Sequence, residues 1–366
     1  MKARAILAYL LFPLTMWYSI VVGIRNLLFD IGILPQQTPA VTTIGIGNLS
    51  FGGTGKTPHV EHLIRHLSRS YTTAMLSRGY RRKSKGYQID DGSHSAQLLG
   101  DEAAMVANKF PEATVAVCKN RLRGIERMQQ DRKNIQVVVL DDVMQHRFIV
   151  PTITIMLTDF HHPFYNDLIC PFGNLRESRL GKHRANIIIV TKTPEDVDPI
   201  TIHNMTDAIK ARTYQKVFFS YMTYSAYAPA NTAARSNPSK FDNILCFTGI
   251  ADAKPLIEHL KKNSTVQHIG FADHHEFSKS DIKQIATAFS KMPEGNNAIV
   301  TTDKDMARLR DNPHFALLNE IPVYSIGINV AFHKTSSQSF DDAITAIVKE
   351  NVSLHSLLTN GQAKRP

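Results

Sequence analysis

The sequence predicts an α/β protein with a mostly parallel sheet flanked by helices, a second, smaller α/β domain after it, and an apolar membrane helix before it. Three observations carry this expectation. Apolar, β-branched runs alternate with helical stretches up to about residue 223, and a segment rich in Ser, Ala, Asn and Pro (224–240) separates them from a second series of the same kind. A glycine-rich turn joins the first run to an amphipathic helix, and twenty uncharged residues lie near the N-terminus.

The uncharged segment, AILAYLLFPLTMWYSIVVGI (5–24), is bracketed by Lys2, Arg4 and Arg25. About 20 apolar residues are enough to cross a bilayer as a helix. Pro13 interrupts the helix, and Tyr9, Trp17 and Tyr18 suit a headgroup layer. Residues 1–34 are therefore expected to associate with a membrane, spanning it or lying along it, with a buried core helix as the alternative. The core domain, 35–223, takes its strands from the runs 41–47, 72–76, 135–140, 152–157 and 187–191, each apolar enough to be buried on both faces. After the linker 224–240, the domain 241–352 has strands in NILCFTG, STVQHIG, NAIVTT and IPVYSIG, with helices near 252–262, 279–291 and 303–310. The tail 353–366 is polar and expected to fray.

A chain of 366 residues has surface enough to bury its own core without disulfides or a structural metal. Charged residues at 20% and aromatics at 8% exclude disorder, collagen and coiled coil. Cys118, Cys170 and Cys246 are odd in number and show no CxxC spacing, which fits reduced, buried thiols of a cytosolic compartment. The net charge of +10 is unevenly placed: residues 1–85 hold eleven Lys/Arg against Asp30 and Glu61, so +9 lies in the first quarter of the chain. A phosphate-bearing partner is expected there, whether nucleotide, nucleic acid or anionic lipid. No nucleic-acid-binding module is recognisable, so nucleic acid is not expected.

The strongest motif is VTTIGIGNLSFGGTGKTPHVEHLIRHL (41–67), a strand, a glycine-rich turn and a helix opened by Gly55-Lys56-Thr57. Its context is that of a P-loop NTPase-like fold. Ser50, Phe51, Gly52, Gly53, Thr54 and Gly55 are expected to turn backbone N–H groups onto ATP phosphates. Lys56 would reach the β- and γ-phosphates and the Thr57 hydroxyl would ligate Mg²⁺. Ser50 departs from the strict motif, which asks for glycine there. IQVVVLDD (135–142) supplies Asp141 and Asp142 as acidic Mg²⁺ positions at a strand end. Neither VTKTPED nor TTDKDMA fits the Asn-Lys-x-Asp sequence that reads guanine, which favours ATP over GTP.

The chain resembles the tetraacyldisaccharide 4′-kinase family of lipid A biosynthesis. The resemblance rests on GNLSFGGTGKTP (47–58), SRGYRR (77–82), GDEA (100–103), DDVMQHR (141–147), NLRES (174–178), FADHHEF (271–277) and TTDKD (301–305), in family order over nearly the whole chain. The family carries Ser or Thr at the position of Ser50. It more often shows Gly-Phe where this chain has Val143-Met144, and Glu where it has Asp303. The resemblance implies transfer of the γ-phosphate of ATP, with Mg²⁺, to the 4′-hydroxyl of an acylated glucosamine disaccharide 1-phosphate. It places this reaction at the cytoplasmic face of the inner membrane. The chain is expected to be a monomer.

Residue roles follow from the same resemblance. Asp101 matches the catalytic base and His274 the histidine that pairs with it, an arrangement suited to general base catalysis near neutral pH. Taken alone, Asp101 also reads as an N-cap, and His274 as a loop histidine or metal ligand. Glu177 matches an acidic position near the metal, with a surface ion pair to Arg176 or Arg179 as its alternative. Arg78 and Arg121 match positions facing the substrate 1-phosphate or the nucleotide, although a solvated basic face would show the same residues. The cluster Arg81, Arg82, Lys83 and Lys85 is expected to meet anionic headgroups. A competing reading is a P-loop switch or metallochaperone ATPase at the membrane, and a third is a nucleotide-binding adaptor without chemistry.

Overall fold

The computed structural model describes residues 2–80, 82–236, 238, 240–250, 252–273, 275–310, 312–334 and 338–362; side chains of 2–12, 14 and 355–362 lie outside the description. Helix α1 (Lys2–Asp30) leads into β1 (Thr42–Asn48), α2 (Lys56–Leu67), β2 (Thr73–Ser77), β3 (Gln88–Ile89), α3 (Ala96–Leu99), α4 (Asp101–Lys109), β4 (Thr114–Val117) and α5 (Arg121–Asp131). Next come β5 (Val137–Leu140), β6 (Ile153–Asp159), β7 (Ile187–Thr191), α6 (Pro199–Ile209), β8 (Lys216–Tyr224) and β9 (Ala228–Pro229). The second series is β10 (Asn243–Thr248), α7 (Lys254–Lys261), β11 (Thr265–Gly270), α8 (Lys279–Ser290), β12 (Asn297–Thr302) and α9 (Asp303–Arg310). The chain closes with β13 (Val323–Ile326), β14 (Ile328–Phe332) and α10 (Phe340–Gln362).

The first sheet has nine strands in the order β14-β8-β7-β6-β1-β5-β2-β4-β3. Strand β1 lies at its centre, parallel to β5 and β6, and is buried at every position. That burial on both faces explains the unbroken apolar character of the inner strands. The second sheet runs β11-β10-β12-β13-β9, parallel except for β9.

The boundaries depart from the expected linear order at the C-terminus. Residues 328–332 leave the second sheet and pair antiparallel with β8 at the edge of the first. Helix α10 follows, with Phe340, Ala343, Ile344 and Val348 buried in the same cluster as Ile44, Ile46, Leu63 and Ile64. Phe340 stacks on Phe332 at 4.3 Å and meets Phe218 edge-on at 5.5 Å. Phe340 and Phe218, both buried, each gain roughly 1.5–3 kcal/mol from burial. The second sheet is thus inserted between β8 and β14, and the expected polar tail is helical as far as Gln362.

Helix α1 is continuous through Pro13. Among the described residues no helix is long and apolar enough to cross a membrane, which corrects the expected apolar membrane helix; the side chains of 5–12 and 14 lie outside the description. The second half of α1 is bonded to the body of the protein. Tyr18 donates to the Arg176 carbonyl at 2.8 Å, Arg25 to the Gln145 carbonyl at 3.1 Å and Asn26 to Glu177 Oε2 at 3.0 Å. Arg147 donates to the Asn26 carbonyl at 2.8 Å and to Asp30 at 2.6 Å. Phe29 is buried between the guanidinium groups of Arg25 and Arg147, each 5.0 Å from its ring centre. The opposite side presents Met16, Trp17, Ile20, Val21, Ile24 and Leu27 to solvent.

Two glycines of β1 let the segment after β5 cross close over the central strand. A Cβ on Gly45 would lie 2.5 Å from Val143 Cγ1, and one on Gly47 would lie 2.6 Å from Met144 Cγ and 2.8 Å from the Met144 backbone nitrogen. Because backbone rather than a pliant side chain blocks Gly47, Gly47→Ala is expected to destabilise the fold by about 1–3 kcal/mol, read as a lowered midpoint in thermal unfolding.

Candidate functional site

The chain leaves β1 at Asn48 and turns through Gly52 and Gly55, whose φ values of 101° and 82° lie in the left-handed region that glycine tolerates best. Gly55 is the N-cap of α2, so Lys56 and Thr57 open the helix with its first N–H groups facing the loop. Phe51, Gly52 and Gly53 are exposed, and nothing lies within 4 Å of a Cβ placed on either glycine. Thr54, by contrast, is buried, accepting from Asn48 Nδ2 at 2.9 Å. The loop is braced from outside: Ser50 pairs with Leu175, the Phe51 N–H donates to the Asn174 carbonyl at 2.6 Å, and the Arg176 N–H donates to Leu49. His59 ties the loop to β8 from beneath, with Nδ1 2.7 Å from the Gly55 carbonyl and Nε2 3.0 Å from Ser220 Oγ. Burial lowers its pKa to about 4, so the imidazole stays neutral.

Lys56 Nζ sits 3.4 Å from Asn48 Oδ1 and 3.6 Å from Asp142 Oδ1. Asp142 adopts a positive φ of 50°, and Arg176 Nη1 reaches both its oxygens at 3.1 Å. Burial would raise the pKa of Asp142, but Lys56 and Arg176 outweigh it and hold the carboxyl below its usual range. Asp141 behaves oppositely. Burial, then the charges of Glu102 and Asp142, push its pKa up to about 7 against the pull of Lys56 and Arg121. Its Oδ1 is buried and has no hydrogen-bond partner among the described residues.

An orphaned buried carboxylate oxygen beside a second acid and the loop lysine fits a divalent cation, which would supply the missing positive charge. Among the described residues no three His, Cys, Asp or Glu form a preformed metal cage. Mg²⁺ needs none, because it is held by one or two carboxylates together with substrate phosphates.

Asp101 stands at the first turn of α4, across from the second sheet. Gly100, with φ 85°, is the N-cap, so the Asp101 side chain is not consumed in capping. A Cβ on Gly100 would fall 2.6 Å from the Tyr80 carbonyl, which locks the turn before Asp101 against the SRGYRR segment. Arg308 of α9 donates from Nε to Asp101 Oδ2 at 2.9 Å. Glu102, next in sequence, is the leading charge that perturbs Asp141, so the first turn of α4 sends Asp101 to Arg308 and Glu102 toward the acid pair. The expected partner His274 lies outside the described residues. His275 bonds Asp281 at 2.9 Å and stacks on Phe271.

The remaining expected residues divide. Arg78, exposed at the end of β2, acts electrostatically on Arg121 and His146, which places it at the carboxyl edge of the sheet with the other groups. Arg121 is buried and donates to the carbonyls of Cys118, Lys119 and Asp141. It therefore stitches β4 to β5 from inside. Glu177 is 2% exposed and already accepts from Asn26, Gln145 and Arg184, so it anchors α1. Arg82 donates to the Gly86 carbonyl and staples its own loop, whereas Arg81 lies outside the described residues.

Sequence reasoning missed Arg176, Gln145, Asn48 and Arg308 as members of this constellation. The first three sit within motifs quoted for the family resemblance, but only the fold shows that they face the loop.

The acid pair has a consequence for stability. Asp141 has an ordinary pKa of 3.8 and keeps its proton to about 7 in the fold, so unfolding between these values releases a proton and stability falls as pH rises through the window. Asp141→Asn, which keeps the shape without the charge, is expected to flatten this slope and to be more stable than the unsubstituted chain above pH 7. Thermal unfolding on either side of that pH checks it, and an unchanged slope counts against the assignment.

Comparison with known proteins agrees with this architecture. The family model for tetraacyldisaccharide-1-P 4′-kinase matches residues 7–349. A tetraacyldisaccharide 4′-kinase of Bacteroides thetaiotaomicron is 40% identical over 354 residues, covering 93% of each chain. One from Flavobacterium johnsoniae is 38% identical over 348 residues, covering 95% of this chain and 99% of its own. Among solved structures, LpxK from Aquifex aeolicus, crystallised in complex with ATP, superposes with a TM-score of 0.73 at 25% identity over 94% of this chain and 99% of its own. By the family match over nearly its whole length and these relatives, this chain belongs to the tetraacyldisaccharide-1-P 4′-kinase family.

Proposed function

We propose that this chain transfers the γ-phosphate of ATP to the 4′-hydroxyl of an acylated glucosamine disaccharide 1-phosphate, giving a 4′-phosphorylated lipid A precursor. The observation that carries the reading is a phosphate loop whose Lys56 lies beside Asp142, with the acid pair reached by the charge of Glu102, the neighbour of Asp101 at the start of α4. Family membership supports this choice of acceptor.

The loop from Ser50 to Gly55 and the first turn of α2 receive the phosphates through backbone N–H groups, and the Lys56 ammonium follows the transferred phosphoryl. Asp141, Asp142 and the Thr57 hydroxyl would hold Mg²⁺. The metal supplies charge neutralisation between the phosphates when bound. Arg176, over the Phe51 ring at 5.1 Å and bonded to Asp142, fixes the loop tip relative to the acid pair. Asp101 accepts the proton of the 4′-hydroxyl as the oxygen attacks phosphorus, with His274 as the partner that the family resemblance assigns. Arg78 is available to the lipid 1-phosphate.

The lipid acceptor calls for an apolar approach, and α1 supplies one. Trp17, Tyr18 and Val21 line a hollow of about 300 Å³ with Cys170 and Pro171. The exposed apolar side of α1 would lie along an anionic inner membrane, the site facing the cytoplasm and the chain acting as a monomer.

Purified protein with ATP, Mg²⁺ and a tetraacyldisaccharide 1-phosphate in detergent micelles is expected to yield a lipid heavier by one phosphate in mass spectrometry. ATP hydrolysis without lipid product would defeat the proposal. Asp101→Ala should lower kcat by about 10²–10⁴-fold while sparing ATP affinity. For the membrane, sedimentation with vesicles containing anionic lipid should fall on Trp17→Glu; equal sedimentation of both proteins would place the contact elsewhere.

A further inference from the structure

The guanidinium of Arg308 belongs to the second sheet and reaches into the first. Its side chain is 8% exposed. On its own side it is held twice, Nη1 donating to Asp305 Oδ1 at 2.9 Å and to the Gly249 carbonyl at 3.1 Å. Asp305 is fully buried and is itself fixed by the Gly249 N–H at 3.0 Å and the Thr302 hydroxyl at 2.8 Å, both on Oδ2. Gly249 follows β10 and Thr302 ends β12, so the carboxyl ends of two adjacent strands set the position of one carboxylate. That carboxylate sets the guanidinium, and its Nε–H points to Asp101 Oδ2 at 2.9 Å.

We propose that Arg308 is a positioning residue for the phosphoryl transfer, fixing the Asp101 carboxylate against the acceptor hydroxyl through a relay that begins at Gly249, Thr302 and Asp305. The inference rests on the role given to Asp101 in the proposed function. A guanidinium suits the task because its planar fork serves two carboxylates in fixed directions, whereas an ammonium on a flexible stem holds its partners without fixing their angles. The relay also ties the proton-accepting group to the placement of the second sheet, so that small errors in that placement are felt at the reacting oxygen. A displacement of about 1 Å at a reacting group costs on the order of 10²-fold in rate.

The test uses the full chain, ATP, Mg²⁺ and tetraacyldisaccharide 1-phosphate in micelles, with thermal unfolding and ATP KM measured beside kcat. Arg308→Ala is expected to lose on the order of 10²-fold in kcat with ATP KM unchanged. Arg308→Lys, which keeps the charge and guards against a misfolded alanine variant, should keep the unfolding midpoint and ATP KM yet lose about tenfold, equivalent to about 1.4 kcal/mol of barrier. A folded Arg308→Lys with unimpaired kcat overturns the inference. So does a kcat loss matched by an equal loss of ATP affinity, the signature of a merely structural ion pair. Absence of lipid product from the unsubstituted protein instead overturns the function reading and takes this inference with it.

Discussion

The close crossing of the 141–147 segment over β1 underlies the site. Gly45 and Gly47 remove the two side chains that would hold the segment away, and Val143 and Met144 fill the space. The crossing sets Asp142 3.6 Å from Lys56 and delivers Gln145 to the Asn48 carbonyl and to Glu177. Through Arg147 it also seats the end of α1. A strand with ordinary side chains at these positions would separate acid pair, phosphate loop and N-terminal helix together. The energetic character of the place is one of compensated strain: a left-handed Asp142 and a carboxylate kept protonated to about pH 7 persist because the surrounding contacts hold them.

The two acids show how environment divides one chemistry into two roles. They are adjacent in sequence, yet Asp142 lies within reach of Lys56 and Arg176, whereas Asp141 faces the charge of Glu102 and has a bare oxygen. The first is therefore ionised at all ordinary pH, and the second keeps its proton to about pH 7.

Much of this was legible in the sequence because it is local. The loop follows from glycine spacing, the strands from runs such as VVVL, and the acid pair from its place at a strand end. What sequence hid depends on partners far along the chain. Residues 328–332 look like any short strand, and nothing in INVAF says that it pairs with β8 instead of continuing the second sheet. Glu177 and Arg121 have the residue types of a ligand and a phosphate clamp, but burial turned them to internal bonding. Asp101 read as an N-cap, but the cap is Gly100, one residue earlier, with a φ of 85° and the Tyr80 carbonyl where a Cβ would stand. Arg308 carried no signal in TTDKD beyond its spacing from Asp305, because its target is 207 residues away.

The return of β14 to the first sheet changes what can be removed from the molecule. The two crossings between sheets run side by side, the Ser225 N–H donating to the Gly327 carbonyl and the Gly327 N–H to the Ser225 hydroxyl, both at 2.9 Å. Entry and exit of the second sheet therefore lie within one hydrogen bond of each other, the geometry that makes a domain excisable from its host chain. Cutting the chain before 328 would strip β8 of its outer partner and bare a nine-residue edge strand to other chains. Splicing Ser225 to Gly327 would instead leave every strand of the first sheet paired, with Asp101 still on its helix but deprived of the arginine that reaches it from outside.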